Sequence, residues 1–358
     1  MQFAYRASRG VEDATLTLLD KIHSHLNKTK THVRVLFMDF SSAFNTVQPH
    51  LLLRRLCDLN VSSNLILWIR EVLRARPQRV CIDNTYSDCL VLNTGVPQGC
   101  VLSPLLFSLY TNELQYNDTE FSLIKYADDM ALVARLKDVS SPSYTLHIDQ
   151  MAAWFADSFL DLNVTKTKEL CLGGGTGAEG SESIFRPVTM SGGEVEQVAD
   201  FKYLGTTIDH KLTFQKNADG IYKKARQRLY LLRQLRSFNA SKHTLTMVYR
   251  SLTESVLTFN IISWYGNLSV RDRNKLTQIV NQASKIIGSK QLQLQDIYNR
   301  SITKKAVQIY KDPTHPLRPS FVLLPSGRRL LVPLAIKKGY KTSFVPTAVE
   351  ILNRKMFK

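Results

Sequence analysis

The chain has 358 residues, is 44% hydrophobic and carries a formal net charge of +17. No run approaches the roughly 18 consecutive apolar residues of a membrane-spanning helix, and the N-terminus lacks the apolar core of a signal peptide. We therefore expect an intracellular protein, nuclear or cytoplasmic, that is neither secreted nor embedded in a membrane. The five irregularly spaced cysteines argue against a disulfide framework and against a zinc pattern.

The spacing of apolar residues predicts alternating strands and helices in the first half and a helical second half. In chain order, helices are expected over residues 10–26, 51–59, 64–73, 104–110, 146–160, 221–236, 242–256, 271–287 and 347–353. Short strands are expected over residues 33–40, 79–82, 122–125, 130–134 and 170–172. Ser103 is predicted as the N-cap of its helix and Pro104 as the first helical residue. The proline-rich last seventy residues otherwise predict a partly irregular tail.

The positive charge is concentrated in the second half of the chain. Residues 1–200 hold 18 Lys and Arg against 23 Asp and Glu, a balance of −5, whereas residues 201–358 hold 29 against 7, a balance of +22. A half that is so basic favours binding to the phosphate backbone of a nucleic acid over a generic solvated surface.

Two adjacent carboxylates, Asp128 and Asp129, lie between two apolar runs, which predicts a β-hairpin with the acids at its tip. Successive strand residues point to opposite faces, so the two acids are not expected to serve equally. Asp39 ends another apolar strand, and pairing this strand beside the hairpin would bring Asp39 and Asp128 to one edge. Carboxylates placed this way suit divalent cations such as Mg²⁺ in a polymerase-type phosphoryl transfer. The alternative for the Asp-Asp pair taken alone is a solvated turn.

Five ordered motifs resemble the reverse transcriptase domain of non-LTR (LINE-type) retrotransposons. They are motif A at residues 38–46, motif B at 95–104, motif C at 126–129, motif D at 162–168 and the primer grip at 201–205. The resemblance runs from Gln2 to nearly the last residue. It implies an α+β fold with a polymerase palm, which is an antiparallel sheet with packed helices, and partial fingers, followed by a helical basic thumb and an irregular C-terminal tail. The implied domains are partial fingers over 1–35, palm with motifs A to D and primer grip over 36–210, thumb over 211–290 and basic tail over 291–358.

The resemblance also implies roles for individual residues. The catalytic residues would be Asp39, Asp128, Asp129 and Lys166, with the metal ions held by Asp39, the Phe40 carbonyl and Asp128. Nucleotide contacts would come from Phe44, Gln98, Gly99, Tyr126 and Ala127. The primer grip would use Phe201, Tyr203, Leu204 and Gly205, and the nucleic-acid backbone would be held by Lys223, Lys224, Arg226 and Arg228.

Two of these implied roles have alternatives. Phe44 would be a steric gate against a 2′-OH, and the alternative is an ordinary core aromatic. Lys166 would donate a proton to the leaving pyrophosphate, and the alternative is a surface lysine paired with Asp161 or Glu169.

The implied function is that of an RNA-directed DNA polymerase, in which a primer 3′-OH attacks the α-phosphate of a deoxynucleoside triphosphate. The implied partners are an RNA template, a DNA primer, deoxynucleoside triphosphates and two Mg²⁺ ions, with Mn²⁺ as a substitute; no membrane is implied, and the oligomeric state is not predicted. The fingers hairpin of the family does not precede motif A here, so we expect slow extension, and a nucleic-acid-binding remnant is the alternative. More remote alternatives are an iron/2-oxoglutarate oxygenase, from His147 and Asp149, and a methyltransferase, from the glycine-rich run 173–181, which we interpret as a flexible loop.

Overall fold

The computed structural model describes residues 1–138, 141–173 and 185–355. Its α-helices are α1 (Val11–Leu26), α2 (Ala43–Thr46), α3 (Pro49–Asp58), α4 (Ser63–Leu73), α5 (Leu102–Tyr110), α6 (Pro142–Asp157), α7 (Gln215–Ser237), α8 (Lys242–Val248), α9 (Ser255–Thr258), α10 (Ile261–Trp264), α11 (Val270–Ile287), α12 (Leu294–Lys311), α13 (Lys338–Lys341) and α14 (Phe344–Lys355). A π-helix covers Tyr249–Glu254, and short 3₁₀ helices cover Tyr265–Asn267 and Arg318–Ser320. The strands are β1 (His32–Met38), β2 (Arg76–Gln78), β3 (Cys81–Ile82), β4 (Thr85–Tyr86), β5 (Leu90–Leu92), β6 (Phe121–Tyr126), β7 (Asp129–Leu136), β8 (Lys168–Leu172), β9 (Thr189–Met190), β10 (Gly193–Glu194), β11 (Glu196–Val198), β12 (Asp200–Tyr203) and β13 (Thr206–Asp209).

The contacts divide the chain into two compact units. The first contains the described residues within 1–10, 34–171 and 175–198, and the second those within 11–33, 172–174 and 199–358. This grouping differs from the linear boundaries predicted from the sequence, because α1 belongs with the C-terminal residues. The reason is that helical periodicity shows which face of a helix is buried but not which distant segment covers it.

The first unit is built on a five-stranded sheet with the order β11-β8-β1-β7-β6. Strands β6 and β7 are antiparallel and joined by a two-residue turn, since Tyr126 lies opposite Asp129. Strands β8 and β11 are parallel, with Lys168 opposite Glu196. The sheet is therefore mixed at this edge rather than antiparallel throughout, and its combination with helices confirms the α+β class.

Helices cover this sheet through one continuous apolar core. Met38 and Leu132 from the strands pack in the same cluster as Phe107 and Tyr110 from α5 and Phe155 from α6, and all five side chains are at most 3% exposed. Burying one large apolar side chain stabilises the folded state by about 1.5–3 kcal/mol. The core therefore holds rigidly the strands that carry the predicted acids.

A buried ionic network crosses the same sheet. The guanidinium of Arg34 donates to both carboxylate oxygens of Glu169, at 2.9 and 2.7 Å, and also to the Arg186 carbonyl at 2.7 Å. Tyr144 and Gln197 donate to Glu169 at 2.5 and 3.0 Å. Burial, followed by the charge of Glu169, raises the pKa of Tyr144 well above its ordinary value, so its hydroxyl remains a donor.

The second unit is mainly helical and contains the basic helix α7. The helix predicted over 242–256 is instead α8, the π-helix and α9 in succession. Asp13 of α1, which is 1% exposed, accepts hydrogen bonds from Lys305 and His315, both at 3.0 Å. Since a buried carboxylate needs such partners, this cluster fastens α1 to α12 and the segment after it.

The C-terminal tail is more ordered than its sequence predicted. The prediction missed the 18-residue helix α12, although the short helix expected over 347–353 is confirmed within α14. Residues 334–337, between these two helices, are also held, because the side chain of Asn27 donates to the Leu334 carbonyl at 2.8 Å and accepts from the N–H groups of Ile336 and Lys337 at 2.8 and 3.0 Å. Of the helices in the described ranges, none is long and apolar enough to cross a membrane.

Candidate active site

The three predicted acids meet at one end of the central sheet. Asp39 directly follows β1, Asp128 lies in the turn between β6 and β7, and Asp129 begins β7, which is the neighbour of β1 in the sheet. The predicted hairpin with acids at its tip is confirmed. Desolvation, followed by the charges of Asp128 and Asp39, raises the pKa of Asp129 to about 6. Asp129 is therefore within electrostatic range of both Asp128 and Asp39.

The backbone around Asp39 is tied to motif D. The Asn163 N–H donates to the Asp39 carbonyl at 2.9 Å, and the Ser41 N–H donates to the Asp161 carbonyl at 2.8 Å. Phe40 lies between these two hydrogen bonds, and its carbonyl takes part in neither. That carbonyl is the backbone oxygen that the family resemblance implies as a metal ligand.

Lys166 lies beside the first predicted acid. Its Nζ is 3.8 Å from Asp39 Oδ2, with the two side chains 69% and 42% exposed. Glu169, one of the alternative partners, is instead buried against Arg34. Since exposed ion pairs contribute at most about 1 kcal/mol to stability, this pair adds little to folding.

The motif B loop packs directly on α2, the short helix within motif A. The Val96 N–H donates to the Phe44 carbonyl at 2.8 Å, and Gln98 Nε2 donates to Asn45 Oδ1 at 3.3 Å. Gly95 has a φ of +74°, and a Cβ there would lie 2.8 Å from the Asn45 backbone. Only glycine fits this close approach, which places Gln98 beside the segment that carries Phe44.

A cavity of about 470 Å³ contains three of the predicted nucleotide contacts. Its lining residues are Tyr5, Phe44, Gln98, Gly99, Cys100, Val101, Ser103 and Pro104. The ring of Phe44 also lies 5.0 Å from the ring of Phe107, centroid to centroid, which limits its movement. Gln98 additionally lines a second cavity of about 430 Å³, together with Asn45 and Arg76.

Tyr5 is a site residue that the sequence reasoning missed. It lines the larger cavity, and its pKa is raised by desolvation and then by the charges of Asp128 and Tyr126. It therefore links the cavity to the acidic hairpin. Tyr5 lies outside the five motifs, so the family resemblance did not point to it.

Tyr126 and Ala127 take different positions at the hairpin tip. Tyr126 is the last residue of β6, whereas Ala127 is 7% exposed and has a φ of 58°. The prediction that Ser103 caps α5 is wrong, because the helix already begins at Leu102 and the Ser103 hydroxyl donates to the Pro97 carbonyl at 2.5 Å. Ser103 therefore closes the motif B loop instead.

The predicted primer grip is the hairpin β12–β13 of the second unit. Phe201 and Tyr203 lie on β12, and Leu204 and Gly205 form the turn with φ values of 44° and 84°. Positive φ at both turn residues is the type I′ geometry that tight hairpins prefer. A Cβ on Gly205 would lie 2.8 Å from the Phe259 ring, so this turn requires glycine for space as well as for conformation.

The basic residues predicted to hold a nucleic-acid backbone are not equivalent. Lys223, Lys224 and Arg226 are exposed on α7. Arg228 is only partly exposed and donates to the Leu252 carbonyl of the π-helix. Three of the four side chains are therefore available to solvent, and the fourth supports packing within the second unit.

Two features suggested the remote alternatives, His147 with Asp149 and the glycine-rich run. The His147 side chain is engaged in packing, and most of the glycine-rich run lies outside the described residues. The His147 ring stacks on Phe121 with 3.9 Å between centroids, and its Nδ1 lies 2.8 Å from the Ser143 carbonyl. The glycine-rich run 173–181 lies outside the described residues except for Gly173. Within the described ranges, no group of three or more His, Cys, Asp or Glu side chains is arranged to hold a metal ion.

A family model described as "Reverse transcriptase (RNA-dependent DNA polymerase)" matches residues 1–208. The chain belongs to the reverse transcriptase family. The predicted resemblance is thereby confirmed. A second family model, described as "Alkylated DNA repair protein alkB homolog 8, N-terminal", matches only residues 214–255, a range that begins at α7 and excludes His147 and Asp149.

Curated relatives of this reverse transcriptase come from insect mobile elements. It is 26% identical over 303 residues to the probable RNA-directed DNA polymerase from transposon BS of Drosophila melanogaster, which covers 80% of this chain and 32% of the relative. It is 24% identical over 243 residues to the RNA-directed DNA polymerase from mobile element jockey of the same organism, which covers 64% and 25%. The chain thus spans about a third or less of the length of these relatives. A solved structure of apo telomerase from Candida tropicalis is similar with a TM-score of 0.42 and 14% identity, over 88% of this chain and 55% of that chain.

Proposed function

We propose that this chain is the polymerase part of a LINE-type retroelement protein, and that it extends a DNA primer on an RNA template. The observation that carries the proposal is the convergence of Asp39, Asp128 and Asp129 at one end of the sheet, where desolvation, followed by the charges of Asp128 and Asp39, raises the pKa of Asp129. Acids forced together in this way need a cationic partner. Tyr5, whose pKa is raised by desolvation and then by the charges of Asp128 and Tyr126, lines the cavity that holds Phe44 and Gln98.

Asp39, Asp128 and the Phe40 carbonyl would hold two Mg²⁺ ions, with Mn²⁺ as a substitute. Asp39 and Asp128 offer carboxylate oxygens, and the Phe40 carbonyl lies outside the hydrogen bonds on either side of it. Oxygen donors of this kind are the ligands that these hard cations prefer. Two bound ions supply charge stabilisation to the attacking and leaving oxygens of a phosphoryl transfer.

The protein's own residues position the reactants and move the proton. The deoxynucleoside triphosphate would occupy the cavity of about 470 Å³, with Gln98 and Gly99 against it and the Phe44 ring against the sugar. A 2′-OH would meet that ring, which favours deoxynucleotides. Lys166, 3.8 Å from Asp39, is placed to protonate the leaving pyrophosphate.

The second unit would hold the template and the primer. Lys223, Lys224 and Arg226 present exposed positive charge on one long helix, which suits contacts to successive phosphates. The hairpin β12–β13, with its rigid type I′ turn, would hold the primer strand. The basic balance of residues 201–358 supports this assignment.

Single-nucleotide primer extension on an RNA template in Mg²⁺ tests the proposal. Asp39→Asn and Asp128→Asn should each lower the extension rate by more than about 10²-fold, a loss typical of removing charge stabilisation at a transition state. Asp83→Asn is the matched control, since Asp83 is an exposed residue of the β3–β4 turn in the same unit. Its rate should equal that of the wild-type chain.

The proposal is wrong if the wild-type chain binds primer–template tightly but does not extend it, which would favour the binding-remnant alternative. It is also wrong if extension survives in the Asp39→Asn or Asp128→Asn variants.

A further inference from the structure

The first residues of the chain extend the sheet beside the acidic hairpin. The Met1 amine donates to the Leu123 carbonyl at 2.8 Å, the Lys125 N–H donates to the Met1 carbonyl at 2.8 Å, and the Phe3 N–H donates to the Lys125 carbonyl at 2.9 Å. Gln2 pairs with Lys125 in a parallel bridge, and Phe3 is fully buried. This segment therefore lies along β6, the outer strand of the hairpin.

The side chain of Gln2 reaches the tip of that hairpin. Its Oε1 accepts the N–H of Ala127 at 3.2 Å, and also the N–H groups of Phe3 and Ala4 at 3.0 and 3.1 Å. Its Nε2 donates to the Ser108 hydroxyl at 3.3 Å. One amide thus joins the hairpin turn to α5, the helix that follows the motif B loop.

The Ala127 N–H needs a hydrogen-bond acceptor within the protein. Ala127 has a φ of 58°, which is a strained conformation for a residue with a Cβ, and the residue is 7% exposed. A buried N–H without a partner is unfavourable. Loss of the Gln2 acceptor would therefore favour rotation of the peptide unit before Ala127, which would move the next residue, Asp128.

We propose that Gln2 is a positioning residue for Asp128. Its Oε1 holds the Ala127 N–H and with it the left-handed turn that presents the Asp128 carboxylate. Its Nε2 keeps that turn in register with α5 through Ser108. The catalytic consequence rests on the proposed function of Asp128 as a metal-binding carboxylate, whereas the conformational consequence does not.

The test compares Gln2→Met, which keeps the length of the side chain but removes both polar atoms, with Gln2→Glu, which keeps an acceptor for the Ala127 N–H. Gln115→Met is the matched control, because the exposed Gln115 side chain donates to the Asn112 carbonyl in a loop of the same unit. The purification tag is placed at the C-terminus, since the Met1 amine is used in the sheet. Thermal unfolding midpoints confirm that each variant is folded.

Residue-resolved hydrogen exchange of the Ala127 amide gives the first readout. Gln2→Met should accelerate exchange by about fivefold or more, the factor that corresponds to one lost hydrogen bond, whereas Gln2→Glu and Gln115→Met should retain the protection. Unchanged exchange in Gln2→Met would overturn the proposal.

Mg²⁺ titration by calorimetry and primer extension give the second and third readouts. In Gln2→Met, Mg²⁺ affinity should fall about 10- to 100-fold, as for other residues that orient a metal ligand. The extension rate should fall by a similar factor while primer–template affinity stays within about twofold. Loss of primer–template affinity at an unchanged extension rate would overturn the positioning role. A wild-type chain that does not extend primers would refute the proposed function, and the exchange readout would still decide the role of Gln2.

Discussion

Replacing Glu169 by Gln should destabilise the first unit strongly. Glu169 is fully buried and accepts hydrogen bonds from Arg34, Tyr144 and Gln197. The amide has the same shape, but it leaves the Arg34 guanidinium, at 5% exposure, without its counter-charge. Breaking a buried ion pair from one side costs about 3–5 kcal/mol, which is a large share of the roughly 5–15 kcal/mol that stabilise a typical protein.

Native-state hydrogen exchange over β1 and β8 in increasing urea measures this loss. It is preferable to a global unfolding curve, because a chain with two compact units need not unfold in one step. The free energy of opening in these strands should fall by about 3–5 kcal/mol. The double variant Arg34→Met/Glu169→Leu should lose less than Glu169→Gln, because no buried charge then remains unpaired.

Glu196→Gln is the matched control on the adjacent strand. Glu196 pairs with Lys168 at 2.6 Å, but its side chain is 66% exposed. The same chemical change should cost less than about 1 kcal/mol there, because water screens an exposed pair. If Glu169→Gln were no more destabilising than Glu196→Gln, burial of the network would not have the energetic weight inferred here.

Three further predictions concern sugar selection, nucleic-acid binding and pH. Phe44→Val should raise the ratio of kcat/KM for ribonucleotide incorporation to kcat/KM for deoxynucleotide incorporation by about 10- to 200-fold, as expected for a change in pocket shape. Both kcat/KM values are measured for the wild-type chain and the variant. Replacing Lys223, Lys224 and Arg226 together by Ala should make the slope of log Kd for primer–template against log salt shallower by about 0.9 per lost phosphate contact on B-form DNA. Arg228→Ala should leave that slope unchanged. Burial lowers the pKa of His23 from 6.5 to about 4, because the neutral ring is favoured in the folded protein. The free energy of unfolding should therefore be highest above about pH 6.5 and should fall by about 3 kcal/mol as the pH falls through 4. His23→Leu should abolish this part of the pH dependence of unfolding, while His243→Gln should preserve it.

Local sequence patterns were sufficient for the parts of the site that are local. Continuous apolar runs predicted the hairpin at Asp128 and the strand that ends at Asp39, because each strand buries its own residues. The turn residues of motif B likewise predicted a tight loop, and the close approach of Gly95 to Asn45 gives the reason. The fold class followed from the same patterns together with the family resemblance.

Contacts between distant side chains could not be predicted in this way. The Gln2–Ala127 hydrogen bond spans 125 residues, and the Lys305–Asp13 pair spans 292. Neither leaves a periodic signal, since a single polar residue in a strand or helix is as compatible with solvent as with a buried partner. The parallel pairing of β11 with β8 was missed for a related reason, because the three-residue strand β11 carries too few side chains to define a partner.

The central claim is tested most directly by offering the wild-type chain each deoxynucleotide singly on RNA templates that differ in the next base. Binding of the same primer–template is measured on the same preparation. The account predicts that only the complementary deoxynucleotide is added, that Mg²⁺ is required, and that Asp128→Asn binds equally well but adds nothing measurable. Tight binding without templated addition by the wild-type chain, or addition that does not depend on the template base, would contradict it.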